Sequence, residues 1–263
     1  MKTSGRTVAP VPVALVIHAH PDDEVFATAA WMRELATTGW TVRNVIATGG
    51  EAAELAKTRG DVEAARRQRL AKFERALDLL GSDSWEWLDR KSSWLDSAAH
   101  PERAVAAADS QLVTSHVRRA LAQHKPGVIL TVGADGLTGH PDHIAIHHAV
   151  RDAVRADGIP SDGAWGARLH ANDIAAAKKH VTKELGKKAA LGTGRTAGAS
   201  HTLIDIDAAP VAKLRRQLLD VYSPGLGTKP LTKVAKTNPG DSGFLRAHFD
   251  ASRWVVERYE AIS

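Results

Sequence analysis

Cysteine is absent from all 263 positions. No disulfide can form, and no thiolate can hold a metal. A metal site here has to be built from His, Asp or Glu, a donor set that suits zinc or another divalent transition ion. Nothing approaches the ~20 consecutive apolar residues of a membrane span. No Gly-x-Gly-x-x-Gly follows the first apolar run, which argues against a dinucleotide-binding domain. Aromatic residues make up only 5% of the chain, and they do not interleave with the basic residues as a nucleic-acid surface requires. The net charge is +5, and much of the excess falls in Lys178, Lys179, Lys183, Lys187 and Lys188. A solvated helix face or a loop explains that cluster better than an anion-binding surface does. Lys2 and Arg6 precede an apolar run at 8–17, the outline of a short signal peptide. Pro10 and Pro12 interrupt it and no small-residue cleavage pattern follows, so the run reads as a strand. The expectation is a cytoplasmic protein without nucleic-acid or membrane partners, with homo-oligomerisation left open.

What is present is a β/α alternation. With 43% apolar residues the chain can bury a substantial core. Positions 13–17 form a continuous apolar run and 128–132 one interrupted only by Thr131, the pattern of strands buried on both faces. A helix is expected over 24–38, stopped by Gly39, and a strand over 42–47. A long helix spans 61–80 and is closed by Gly81. A third strand lies at 85–88, a helix at 110–123, and another helix starts inside the segment 139–143 and runs to about residue 156. Strand alternating with helix predicts an α/β fold, a Rossmann-like, mostly parallel sheet with helices on both faces. One domain is expected over 1–263. Its part 160–263 is less regular, with a strand at 203–206, a helix at 211–222, and loops at 187–199 and 223–243 that could cover a site.

Two clusters carry the chemistry. His20-Pro21-Asp22-Asp23-Glu24 follows the first strand, and Gly139-His140-Pro141-Asp142-His143 follows the strand at 128–132. Ligand sites of open α/β sheets lie at that edge. His20 and Asp23, three apart where strand becomes helix, can aim at one point, while Asp22 faces elsewhere and can take a different task. His140 and His143 repeat the spacing. Two histidines and one carboxylate make a catalytic zinc set with room for water. Each motif alone could equally be a helix cap. After strands of one sheet, the pair is much better explained as one metal centre. His18 and His147 are rival ligands, whereas His124 and His148 read as structural or exposed. Trp85, Trp87 and Trp94 could stack on a sugar, but core packing is the better reading.

These motifs resemble the signature of the LmbE-like (PIG-L) N-deacetylases, over about the first 150 residues. The resemblance implies a Rossmann-like fold and hydrolysis of an acetyl group from an N-acetylated amino sugar or its conjugate. The rival readings are an amidase of a larger glucosaminyl conjugate and a sugar-binding protein that has lost catalysis. By the same resemblance, His20, Asp23 and His143 are the zinc ligands and Asp22 is the general base. His140 stabilises the oxyanion if protonated, or assists the leaving amine. Asp142 supports a histidine from behind, and Glu51 and Arg69 contact the sugar. The chain departs from the family pattern in having Ala71 and Lys72 where a Glu often follows that Arg. It also has Leu219-Asp220-Val221-Tyr222 in place of a His-x-Ser-Gln-like stretch.

Overall fold

The computed structural model describes residues 11–187, 189, 191–192 and 196–263. Its strands are β1 (Val13–His18), β2 (Thr41–Ile46), β3 (Ser84–Trp87), β4 (Val128–Val132), β5 (Ala164–Ala167), β6 (Ile204–Asp207) and β7 (Val256–Ala261). They form one sheet in the order β3-β2-β1-β4-β5-β7-β6. β3, β2, β1, β4 and β5 are parallel; β7 runs antiparallel to both β5 and β6. The strand order reverses between β1 and β4. That switch point is where a doubly wound sheet opens a crevice at its carboxyl edge.

The helices are α1 (Ala29–Thr37), α2 (Val62–Leu80), α3 (Ser110–His124), a short α4 (Gly136–Gly139), α5 (Pro141–Asp157), α6 (Ala171–Leu185), α7 (Ala212–Tyr222), α8 (Leu231–Thr237) and α9 (Asp241–Ala251). Side chains alternate faces along a strand. Ala14, Val16, Leu130 and Val132 therefore join Phe73, Leu77, Leu80, Leu218 and Phe249 in one core. Leu15, Ile17 and Ile129 join Val113, Val117, Ile146 and Val150 in the other. Both faces are covered, so β1 and β4 are apolar at all positions but His18 and Thr131. The long helix α2 is delimited by local chemistry. Asp61 accepts the Ala64 amide at 2.9 Å, and Gly81 takes the left-handed conformation at its end.

The expected elements through α5 are present to within one or two residues at most ends, but the helix predicted over 24–38 is not uniform. It opens as a π-helical turn, Glu24–Thr28, whose five residues are all buried. The carboxyl-terminal part is more ordered than its composition suggests. The stretch 223–243, read as a loop, contains α8 and the start of α9. Pro230 and Gly240 precede these helices as caps rather than breaking a chain, and Leu231 and Val234 are buried. The unforeseen α6 buries Ile174, Ala177 and Val181 and leaves Lys178, Lys179 and Lys183 in solvent. The lysine cluster is thus largely a solvated helix face. Lys188, and Ala190, Thr193, Gly194 and Arg195 of the loop expected over 187–199, lie outside the described residues. No described helix is long and apolar enough to cross a membrane.

Candidate active site

Loops from the carboxyl ends of β1, β2, β3 and β4 meet around a cavity of about 350 Å³. β1 supplies His20, Asp22 and Asp23, β2 supplies Gly50, and the loop after β3 supplies Asp96. The segment after β4 supplies Leu137, Thr138, His140 and His143. Asp241, Ser242 and Leu245 of α9 close the far side.

The two histidine motifs converge. His20 Nδ1 lies 3.0 Å from His143 Nε2 and 3.8 Å from Asp23 Oδ2, and His143 Nε2 lies 3.0 Å from Asp23 Oδ1. Two donors each ~2.0 Å from one tetrahedral ion stand ~3.3 Å apart, so these three could hold a single divalent cation, with a different Asp23 oxygen facing each imidazole. The opposite ring nitrogens are committed. His20 Nε2 is 3.1 Å from Asp142 Oδ2, and His143 Nδ1 is 2.9 Å from the Gly136 carbonyl. Both partners are acceptors, so those nitrogens carry the protons, and the lone pairs of the other two face each other and the Asp23 carboxylate. That is the arrangement of metal-binding histidines anchored from behind.

Local backbone sets up this geometry. Asp23 Oδ2 also accepts the amides of Ala19 and His20 at 3.1 and 2.9 Å, which pins the carboxylate against the end of β1. Gly136 and Leu137 both have positive φ, 63° and 64°. This kink turns the Gly136 carbonyl toward His143 and Leu137 into the cavity wall. Asp142, fully buried in the first turn of α5, also accepts the amides of Ser97 and Ala106 at 2.9 and 3.1 Å.

Protons stand in for a cation in this set. Burial pulls the His20 imidazole down, but Asp96, Asp142 and Asp23 overcome it and raise its pKa to about 10. Burial also opposes a charge on His143, which Asp23 nonetheless favours, so its pKa is raised. Asp23 is buried as well, yet the imidazoles of His143 and His20 hold it well below the usual carboxylate range.

Other donor sets share these residues. One donor atom each of His20, His140 and His143 lies within 4.8 Å of the others, as does one each of His20, Asp96, His140 and Asp142. In the second set Asp142 already serves three N–H donors, which leaves it little capacity for an ion. His140 packs 4.7 Å, ring centre to ring centre, from both His20 and His143. Its Nδ1 is buried with no hydrogen-bond partner among the described residues. Burial and the neighbouring imidazoles lower its pKa to about 4, which favours the neutral ring.

Asp22 takes φ of 113° and faces the cavity beside these groups. Its carboxylate is ion-paired with Arg69. Burial raises its pKa, and the guanidinium only partly counters this. Arg69 lines the cavity, but it also donates to the Pro21 carbonyl at 3.1 Å and lies 3.6 Å from Glu54, so much of its donor capacity is engaged. Glu51, expected at the sugar, is not brought to the cavity. It is fully buried, pairs with Arg66 at 2.7 Å and accepts the Asp96 amide at 3.2 Å. Its neighbours Gly50, Ala52 and Ala53 line the cavity instead.

The rival ligands fall away. His18 is buried and bonds Thr28 Oγ1 at 3.0 Å, and His147 donates to the Val132 carbonyl at 3.0 Å; neither lines the cavity. His124 pairs with Glu86 at 3.0 Å. None of the three weighed tryptophans lines the cavity, and Trp85 packs edge-on against Phe73. Sequence reasoning missed Asp96, which carries no motif, and the α9 residues. Adjacency of β3 to β2 and docking of α9 bring them in.

Residues 15–154 match the family described as PIG-L, GlcNAc-PI de-N-acetylase. A 1D-myo-inositol 2-acetamido-2-deoxy-alpha-D-glucopyranoside deacetylase of Saccharopolyspora erythraea is 36% identical over 53% of this chain and 55% of its own length. The corresponding enzyme of Segniliparus rotundus is 31% identical over 68% and 63%. The chain thus spans little more than half the length of these relatives. Its fold is similar to that of N,N'-diacetylchitobiose deacetylase from Pyrococcus horikoshii (TM-score 0.62, 15% identity, 94% of this chain and 82% of that one). It is also similar to the zinc-inhibited form of teicoplanin deacetylase Orf2 (0.62, 16%, 95% and 98%). The hydratase GalB is nearly as similar (0.59, 15%, 96% and 97%), so the fold by itself does not select a reaction. The family match rests on the segment that carries both histidine motifs, and by that match the chain belongs to the PIG-L, GlcNAc-PI de-N-acetylase family.

Proposed function

We propose that this chain is a metal-dependent N-deacetylase that hydrolyses the acetamido group of an amino sugar or its small-molecule conjugate, with zinc as the ion. The observation that carries the reading is the convergence of His20 Nδ1, His143 Nε2 and Asp23, with both imidazoles anchored from behind. The relatives' names support the substrate class, because they act on an acetamido sugar linked to inositol.

His20, Asp23 and His143 would hold the ion, with Asp142 and the Gly136 carbonyl fixing the rings. When bound, such an ion polarises a carbonyl and makes water acidic near neutral pH. The rest is done by the chain. Asp22, a carboxylate made more basic by burial, accepts the proton of the attacking water and can return it to the leaving amine. Arg69 keeps Asp22 oriented. Neutral His140 presents a ring N–H to the oxyanion, which needs no positive charge to be effective in a partly dry site. The cavity, about 350 Å³, is of a size for a sugar and part of its aglycone.

The test is metal content together with acetate release from N-acetylglucosamine, its inositol conjugate and diacetylchitobiose. One ion per chain, activity lost to a chelator and restored by zinc, and an Asp22→Asn variant that keeps its metal but not its activity are the expected results. Metal-loaded protein inert toward every amide would favour the binding-protein reading.

A further inference from the structure

Asp22 occupies a backbone conformation that a non-glycine residue adopts only when its surroundings enforce it, with φ of 113°. Two side chains hold it, alongside the Val25 and Phe26 amides, which donate to the Asp22 carbonyl at 2.9 and 3.2 Å. Glu24 Oε2 accepts the Asp22 amide at 2.9 Å, and Arg69 pairs with the Asp22 carboxylate. One side chain touches both of these groups. The Tyr222 hydroxyl donates to Glu24 Oε1 at 2.5 Å, and the Tyr222 ring lies under the Arg69 guanidinium, 4.5 Å from ring centre to Cζ. Tyr222 is buried at the end of α7, and its carbonyl accepts from Lys72 Nζ at 3.0 Å. Glu24 is fully buried in the π-helical turn.

We propose that Tyr222 is a positioning residue for Asp22: its hydroxyl fixes Glu24 and its ring fixes Arg69, and together these hold the carboxylate at the cavity. The inference rests on the proposed deacetylase reading for its kinetic consequence, and on the contacts alone for its structural one. The physical argument is one of constraint. Glu24 has two oxygens and, with Tyr222 in place, each has its own donor. Without the hydroxyl, Glu24 is free to rotate toward other donors, its hold on the Asp22 amide weakens, and the strained backbone relaxes. Without the ring as well, Arg69 loses the flat surface that sets its plane. A tyrosine in the carboxyl-terminal third thereby makes the first motif depend on the docking of α7.

The experiment compares Tyr222→Phe, which removes the hydroxyl and keeps the ring, with Tyr222→Leu, which removes both. The measurements are kcat, KM, bound zinc and a crystal structure of each variant. Tyr222→Phe is expected to lower kcat roughly ten- to a hundredfold, the loss that a displacement of about 1 Å produces, with KM and zinc content unchanged. Its structure should show Asp22 away from φ near 113°, and Tyr222→Leu should lose more. Wild-type kcat in Tyr222→Phe, or an unmoved Asp22 in its structure, overturns the proposal. If Tyr222→Phe does not fold, Glu24→Met carries the same readouts, because it removes the acceptor for both donors. A wild-type chain that releases acetate from no substrate defeats the deacetylase reading. The position of Asp22 in the variant structures then still decides whether Tyr222 positions it.

Discussion

His20 and His143 stand 123 positions apart in the chain, yet Nδ1 of one lies 3.0 Å from Nε2 of the other. Each ring gives its remaining proton to an oxygen behind it, so the two lone pairs are left pointing into one space with the Asp23 carboxylate. A positive charge there, a shared proton or a metal ion, would offset the repulsion between these acceptors.

Substituting Asp23 or His143 by Ala should therefore abolish stoichiometric metal binding. The loss should exceed the ten- to hundredfold typical of removing a supporting group. Metal content after dialysis against a weak chelator measures it. Either variant retaining zinc at wild-type affinity would remove that residue from the ligand set.

Asp142 touches His20 rather than the cavity, and its replacement should act in degree. Asp142→Ala should weaken zinc binding by roughly ten- to a hundredfold without eliminating it, because His20 loses the acceptor that fixes its proton. Competition with a chromogenic chelator reads the difference. A variant with unchanged affinity would show that the Ser97 and Ala106 contacts are the residue's main role.

His140 distinguishes a ligand from a reacting group. His140→Ala should keep its zinc and lose roughly 10²- to 10³-fold in kcat, the cost of removing one oxyanion donor. Loss of the metal instead would favour the three-histidine donor set. The pair of measurements separates the two outcomes within one variant.

A buried histidine outside the cavity contributes to the acid limit of the fold. His248 of α9 has no partner for either ring nitrogen among the described residues. Burial lowers its pKa to about 4; Asp173 opposes this, and Arg215 and Arg258 reinforce it. The unfolded chain, with its histidine near 6.5, binds the proton first as pH falls. Stability linked to His248 is thus fully present above pH 6.5, is lost between pH 6.5 and 4, and does not change further below that. The full effect is on the order of 3 kcal/mol. His248→Leu should flatten this part of a stability–pH curve measured by urea unfolding. An unchanged slope would place the acid sensitivity in other groups.

Legibility in the sequence followed the range of the interactions. The runs 13–17 and 128–132 showed their doubly buried strands because both faces demand apolar side chains. Gly81 marked the end of α2 because a left-handed cap acts within one turn. α8 was hidden because seven residues give too little periodicity and Pro230 looks like a breaker when read without its partners. The places of Glu51 and Asp96 were hidden for a similar reason. Arg66, fifteen positions from Glu51, draws it into an ion pair, and the loop after β3 delivers Asp96 to the cavity.

The residue types, the three-residue spacings and the absence of cysteine were enough to define the donor chemistry, since oxygen and nitrogen ligands three positions apart meet within a single turn. Which donors actually face one another was decided by strand order. Placing β4 beside β1 brings the two motifs to one crevice, and docking of α9 builds the opposite wall. Hydrogen bonding and burial between distant segments determine those neighbours, and no local pattern encodes them.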